Sequence, residues 1–272
     1  MVNLIAEIGW NHMGDLNLIE KMVIEASNSG AQFAKFQTWH EKNLIPGPWD
    51  HDGRREIYKK AELTIDQFSK VKEICDSNNI SFLTSVFFSK DLEDMSKISN
   101  KAIKIPSHEI ANKKLIREAT RYFKKIYLST GASTEMELYE SLEILKMSKV
   151  NFTLMHCVSS YPCNDNMANL QRIDKLKEKH NSVGFSDHSP DILPSIIALG
   201  KNIEVIEKHF TIDKSLPGRD NAFAILPKQL NELSNIIKRF NSFNVDHGMS
   251  YQECEGETVE KYRGRWGRED YS

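Results

Sequence analysis

Eight short apolar runs alternate with amphipathic stretches along most of the chain, and this alternation limits the fold more than any other feature. The runs cover residues 4–9, 33–38, 81–87, 102–107, 125–131, 152–160, 182–188 and 205–212. They are rich in apolar and β-branched residues, as strands buried on both faces must be. Between them the period changes to that of a helix. Residues 18–28 put Leu18, Met22, Val23 and Ala26 on one stripe, and Gly30 stands where a helix stop belongs. Residues 64–77 open Thr-Ile-Asp-Gln, a capping-box pattern, and stripe Phe68, Val71, Ile74 and Cys75. Stretches 89–98, 112–123, 134–146, 169–180, 190–199 and 227–240 behave alike, and two of them open on a proline suited to a first helical turn.

Eight βα units in about 240 residues fit the arithmetic of an α/β (β/α)8 TIM barrel. The competing architecture is a doubly wound open sheet, but no strand leads into a Gly-x-Gly-x-x-Gly turn. One catalytic domain is expected over 1–243, with an insertion at about 39–63 placed to cover a barrel mouth. A polar tail, 244–272, follows, with no second domain expected. It contains the basic, aromatic run Tyr262-Arg263-Gly264-Arg265-Trp266-Gly267-Arg268.

Composition excludes several classes. Lys and Arg number 36 against 38 Asp and Glu, a net charge of −2, so no electrostatic footprint for nucleic acid or an anionic membrane exists. No apolar run is long enough for a membrane span, and residues 1–4 carry no leader pattern. The 4 cysteines form no Cys-x-x-Cys pair, which suits reduced thiols in a cytoplasmic protein.

In a barrel the chemistry gathers at the C-terminal ends of the strands, and the unusual polar residues fall there. They are Glu7, Asn11 and His12; Lys35 and Gln37; Thr84 and Ser85; Lys104, Ser107 and Glu109; Ser129 and Thr130; His156, Ser159, Ser160 and Tyr161; Ser186, Asp187 and His188; and Glu207, Lys208 and His209. A buried charge without a partner is costly, so lysines and glutamates inside strands need a reason. Any one of them could be an internal ion pair; contributions from nearly every strand to one end indicate a site. Lys35 and Lys104, with the hydroxyls of Ser107, Ser129, Ser159 and Ser186, suit a phosphate. His188 and His209, at the ends of adjacent strands, could share a Mn²⁺, Zn²⁺ or Fe²⁺ ion acting as a Lewis acid. Glu7 and Glu109 are candidates for proton transfer or for holding sugar hydroxyls. Cys157, beside His156, is expected on the opposite face of its strand and gives no sign of a thiol nucleophile.

The strings Ala6-Glu7-Ile8-Gly9-Trp10-Asn11-His12, Lys35-Phe36-Gln37-Thr38, Lys104-Ile105-Pro106-Ser107-His108-Glu109, Leu128-Ser129-Thr130-Gly131, His156-Cys157-Val158-Ser159-Ser160-Tyr161-Pro162, Gly184-Phe185-Ser186-Asp187-His188 and Glu207-Lys208-His209-Phe210-Thr211 resemble the sialic acid synthase family. The likeness runs in order over residues 4–240 and ends in Leu216-Pro217-Gly218-Arg219-Asp220. It implies condensation of phosphoenolpyruvate with an open-chain N-acetylated hexosamine, giving a nonulosonic acid and phosphate. It also implies that Lys35, Lys104, Ser107, Ser129, Ser159, Tyr161 and Ser186 hold phosphoenolpyruvate, and that His188 and His209 hold Mn²⁺ or Mg²⁺. By the same resemblance Glu7, Gln37, Glu109 and Asp220 position the sugar or move protons, and the protein is a homodimer.

Three departures bear on the acceptor. Family members carry a C-terminal antifreeze-like domain whose arginine reaches the neighbouring subunit's sugar site, and this sequence shows no counterpart. Arg219 stands where a proline commonly precedes the aspartate, and Met13 stands for an asparagine. Arg219, or an arginine of the tail, is therefore expected to take over the missing contact. The alternatives are a synthase for another aldose or aldose phosphate, with Arg54 and Arg55 as the second cationic patch, and a non-catalytic homologue that binds phosphoenolpyruvate and metal.

Overall fold

The computed structural model describes residues 1–267, so Arg268 of the basic run lies outside the described residues. Eight parallel strands close in chain order: β1 (Asn3–Gly9), β2 (Phe33–Thr38), β3 (Ser81–Val86), β4 (Ile103–Ile105), β5 (Lys125–Ser129), β6 (Asn151–His156), β7 (Val183–Asp187) and β8 (Val205–His209). β8 pairs with β1 from Asn3↔Val205 to Glu7↔His209, which completes the (β/α)8 barrel. The crossovers are α1 (Leu16–Asn28), α3 (Ile65–Ser77), α4 (Asp91–Ile98), α5 (Lys113–Tyr122), α6 (Glu135–Ser148), α7 (Gln171–Lys177) and α8 (Leu193–Leu199), with α9 (Pro227–Phe243) following β8; α2 (Arg54–Ala61) lies in the insertion.

Local chemistry sets these boundaries. Asp15 caps α1 by accepting from the amides of Asn17 and Leu18. Thr64 and Thr134 form the capping boxes that start α3 and α6. Several strands stop short of their apolar runs. β4 is only 3 residues because Pro106 has no amide to continue the ladder, and β6 ends at His156 before residues 157–160 turn into the mouth. Pro190 is not a first-turn proline: α8 begins at Leu193 with Pro194 in its first turn, and residue 190 lies in the loop before it.

The barrel interior follows the two-residue repeat of a strand. Ile5, Leu83, Tyr127, Met155 and Val205 form an apolar plug with Phe33 and Ala102 against it. Gly184 leaves room for this layer, since a Cβ there would stand 2.4 Å from Val205 Cγ1 and 2.5 Å from Met155 Sδ. One step of two residues toward the C-terminal end of each strand replaces the plug with Glu7, Lys35, Ser85, Lys104, Ser129, Cys157, Ser186 and Glu207. The opposite parity, including Ala6, Ala34, Phe36 and Leu154, packs under the helices in the larger core. The plug thus closes the bottom of the barrel, and the polar layer floors a cavity at its top.

The insertion after β2 covers that cavity. Arg55 gathers it, pairing with Asp50 and Glu41 and donating to the Leu44 carbonyl at 3.2 Å. Tyr58 stacks on Trp10 at 4.9 Å, and Trp39 meets both rings edge-on. Residues 244–267 are largely exposed; Arg265 lies over the Tyr262 and Trp266 rings at 5.1 and 5.0 Å. Among the described residues no helix is long and apolar enough to cross a membrane.

Candidate active site

The fourteen residues to which the resemblance or its departures gave a role line one cavity of about 770 Å³ at the C-terminal mouth of the barrel: Glu7, Lys35, Gln37, Lys104, Ser107, Glu109, Ser129, Ser159, Tyr161, Ser186, His188, His209, Arg219 and Asp220. At its floor four charges meet. Lys35 Nζ lies 2.6 Å from Glu7 Oε2 and 3.6 Å from Glu207 Oε1. Lys104 Nζ bonds both oxygens of Glu207, at 2.9 and 2.8 Å. Gln37 Nε2 donates to Glu7 Oε1 at 2.6 Å, and Ser186 Oγ donates to Glu207 Oε1 at 2.9 Å. All four charged side chains are at least 95% buried.

Electrostatics separates the two carboxylates. Burial raises the Glu7 pKa, only partly opposed by Lys35. Burial acts on Glu207 in the same sense, but Lys104 and Lys35 outweigh it and hold Glu207 ionised, well below the usual carboxylate range. Burial likewise opposes the Lys35 charge, and Glu207 and Glu7 more than offset it, leaving its pKa raised. Two lysines and two carboxylates thus share the floor in near balance.

Hydroxyls ring the lysines. Ser107 Oγ and Ser159 Oγ are 2.7 Å apart, and Ser129 and Ser186 stand below them. Gly131 keeps this corner open: a Cβ there would lie 2.7 Å from both Cys157 Sγ and Ser159 Oγ, and 3.0 Å from the Cys157 carbonyl. Glu109, above Ser107, is tied to Asn112 Nδ2 at 2.8 Å.

The two histidine rings face each other with centroids 5.5 Å apart, and Tyr161 packs against His188 at 4.3 Å. The Val158 carbonyl can only accept, so its 2.6 Å contact assigns the proton of His188 to Nδ1 and turns the Nε2 lone pair toward the cavity. Burial, and then the neighbouring His209, lower the His188 pKa to about 3, so the ring is neutral at physiological pH. His209 Nδ1 is buried without an aligned hydrogen-bond partner, 3.3 Å from Asp220 Oδ2. Burial would raise the Asp220 pKa, but His209 and the Trp10 indole hold it below its ordinary value. The neutral His188 ring, fixed by a backbone carbonyl, and the His209 ring facing it fit a divalent ion that draws its remaining ligands from water and substrate. No group of three His, Cys, Asp or Glu side chains forms a complete metal cage among the described residues.

Several residues flagged from the sequence point elsewhere. His156 faces away from the cavity, bonding the Ala168 carbonyl at 2.8 Å and stacking on Phe185, while Cys157, the residue after β6, lines it. His12 is core, its Nδ1 accepting from the Gly14 amide at 3.0 Å. Asn11 holds the Phe210 carbonyl at 2.9 Å, and Lys208 secures the loop after β7 through Ser189, Asp191 and Asp187. Sequence reading missed the upper wall of Trp10, Trp39, Tyr58 and Phe87, and gave Glu207 no role.

The proposed second cationic patch is largely neutralised. Arg54 lines the cavity but lies 2.6 Å from Asp52, and Arg55 is committed to Asp50 and Glu41. Arg219 lines the mouth and forms no ion pair among the described residues; Arg263 and Arg265 lie outside the cavity lining.

A (β/α)8 barrel with buried lysines, hydroxyls and a histidine pair in one strand-end cavity has the form of a barrel enzyme's active site. Comparison with known proteins narrows this class. Residues 22–247 match the NeuB family, and the chain belongs to that family. It is 34% identical over 251 residues to the N,N'-diacetyllegionaminic acid synthase of Campylobacter jejuni, covering 87% of this chain and 75% of that protein. It is 30% identical over 261 residues to the N-acetylneuraminate-9-phosphate synthase of Drosophila melanogaster, covering 90% and 69%. Among solved structures, the N-acetylneuraminic acid (sialic acid) synthetase of Leptospira borgpetersenii serovar Hardjo-bovis, in complex with citrate, superposes with a TM-score of 0.91 at 34% identity, over 98% of this chain and 93% of that one.

Proposed function

We propose that this chain, an enzyme of the N-acetylneuraminate synthase type, condenses phosphoenolpyruvate with an open-chain N-acetylated hexosamine to give a nonulosonic acid and phosphate. The observation that carries the reading is the convergence of Lys35, Lys104, four serine hydroxyls and two histidines in one cavity, in a member of this family. Lys35, Lys104 and the hydroxyls of Ser107, Ser129, Ser159 and Ser186 bind the phosphate and carboxylate, with Tyr161 closing one side. C3 of phosphoenolpyruvate forms a bond to the aldehyde carbon of the sugar, whose oxygen takes up a proton. Water adds at C2 and gives up one proton; the C2–O bond to phosphate then breaks as the C2 hydroxyl becomes the ketone, and its remaining proton leaves with the phosphate. Glu7 and Glu109, both lining the cavity, are the groups assigned to move those protons. Gln37 and Asp220 orient the sugar. His188 and His209 would hold a Mn²⁺ or Mg²⁺ ion, which when bound would supply Lewis-acid polarisation of the aldehyde.

The preferred acceptor carries no phosphate. Arg54 and Arg55 are neutralised within the insertion, which leaves Arg219 as the one unpaired arginine of the cavity lining among the described residues, whereas a phosphate dianion is better matched by several donors. Arg219 is assigned to a polar group of the sugar. A homodimer belongs to the same reading, and scattering should give a mass near twice 31.3 kDa.

Two measurements on the product test the chemistry. Mass spectrometry should find an acid equal to sugar plus pyruvate. Phosphoenolpyruvate labelled with ¹⁸O at the bridging oxygen should release that label as phosphate. Label retained in the acid would mean P–O cleavage and overturn the mechanism.

A further inference from the structure

Lys104 and Lys35 come from β4 and β2, Ser186 from β7, and all three converge on one carboxylate from β8. Glu207 takes two bonds from the Lys104 ammonium, its Oε1 also accepts from Ser186, and Lys35 stands 3.6 Å from the same oxygen. We infer that Glu207 is a positioning residue, which holds the two lysines and Ser186 in the geometry that receives phosphoenolpyruvate. This inference rests on the reading of those lysines as the phosphoenolpyruvate grip.

Two buried ammonium groups facing one cavity repel each other, and each would be costly to leave unpaired. Glu7 compensates Lys35, through an ion pair on the neighbouring strand. Lys104 has no other carboxylate partner among the described residues, so its position depends on Glu207. Ser186 is fixed by the same group, because its hydroxyl proton is directed to Oε1 rather than to the His188 ring 3.4 Å away. One side chain thus sets three of the donors that an anion would meet.

The arrangement has a definite cost. A negative charge among the ligands of a phosphate weakens its binding, so Glu207 favours geometry over affinity. It also favours release: once phosphate has been cleaved, Lys104 has a carboxylate to return to. Removing the charge should therefore divide the kinetic constants. Glu207→Gln keeps the size of the side chain while removing about one charge, and it should bind inorganic phosphate at least about tenfold more tightly. Its kcat should fall at least about tenfold, with a lower KM for phosphoenolpyruvate.

The experiment compares the native chain, Glu207→Gln and Glu207→Asp. Phosphate binding is read by titration calorimetry, turnover by phosphate release, and folding by thermal melting. Glu207→Asp retains the charge on a shorter arm and should recover part of kcat without the tighter phosphate binding. Glu207→Gln that melts like the native chain but keeps kcat within twofold overturns the inference, as does weaker phosphate binding with kcat retained. If Glu207→Gln fails to fold, Glu207→Asp decides: native kcat in that variant, despite its displaced carboxylate, overturns the positioning role. A native chain that neither binds nor turns over phosphoenolpyruvate counts against the proposed function itself.

Discussion

Lys104 and Glu207 stand on β4 and β8, four strands apart in a closed eight-stranded barrel, yet Lys104 Nζ lies 2.8 Å from Glu207 Oε2. The pair therefore spans the floor of the cavity. It ties opposite walls together within the cavity where the anionic substrate is proposed to bind. Structure and function share this pair, so substitutions there should affect both.

Lys104→Met leaves Glu207 with only Ser186 and the more distant Lys35. Loss of one partner of a buried pair typically costs about 3–5 kcal/mol, because the remaining charge is uncompensated. Urea denaturation should show a loss of that order, and phosphoenolpyruvate binding should disappear in parallel. A change below about 1 kcal/mol would mean that the pair is solvated in solution.

His188→Ala and His209→Ala should each abolish metal-dependent turnover while leaving the fold intact, because both rings belong to the mouth and not to the plug. Manganese binding, followed by electron paramagnetic resonance, should weaken by at least about 100-fold in either variant. Native-like manganese binding in both variants would remove the metal from the account.

Stability should fall in mild acid because two buried histidines remain neutral in the fold. Burial lowers the pKa of His12 and of His156 to about 4, against about 6.5 in an unfolded chain. Between those values the unfolded state binds more protons, so the contribution of these two groups is constant above about pH 6.5 and declines as pH falls toward 4. Each group can withdraw up to about 3 kcal/mol over that interval. Chemical denaturation at pH 7, 6, 5 and 4.5 should show this slope, and His156→Phe should reduce it.

Gly131→Ala should impair substrate binding selectively. The new methyl would press on Cys157 Sγ, Ser159 Oγ and the Cys157 carbonyl, narrowing the corner where the hydroxyls gather. The KM for phosphoenolpyruvate should rise about tenfold or more, while the KM for the sugar changes little. Native values for both would show that the corner yields freely.

Arg55→Ala tests the insertion. Without the guanidinium, Glu41, Asp50 and the Leu44 carbonyl lose their common donor, and the Leu44, Ile45 and Trp49 side of the cavity loosens. The sugar KM should increase severalfold with phosphoenolpyruvate KM unchanged, as steady-state kinetics would show. Equal increases in both would place the effect at the barrel floor instead.

The barrel was legible because each of its strands is buried on both faces and each crossover has its own helical stripe. Most of the site was legible for a related reason: Lys35, Lys104 and Glu7 are anomalies in apolar strands. The error on β6 came from parity. Met155 is in the plug, so residue 157 and not 156 returns to the interior, and His156 belongs to the layer beneath the helices. Glu207 carried the same signal as Lys104 but received no role, because its partners come from strands remote in sequence. The wall of Trp10, Trp39 and Tyr58 depends on how the insertion docks, and a local pattern does not specify that contact.

The most direct test of the account is phosphate release from phosphoenolpyruvate with Mn²⁺, across a panel of N-acetylated and diacetamido hexoses and their phosphates. The account predicts release that requires an unphosphorylated sugar, Mn²⁺ and both His188 and His209. Release independent of any sugar, or native rates in His188→Ala and His209→Ala, would contradict it.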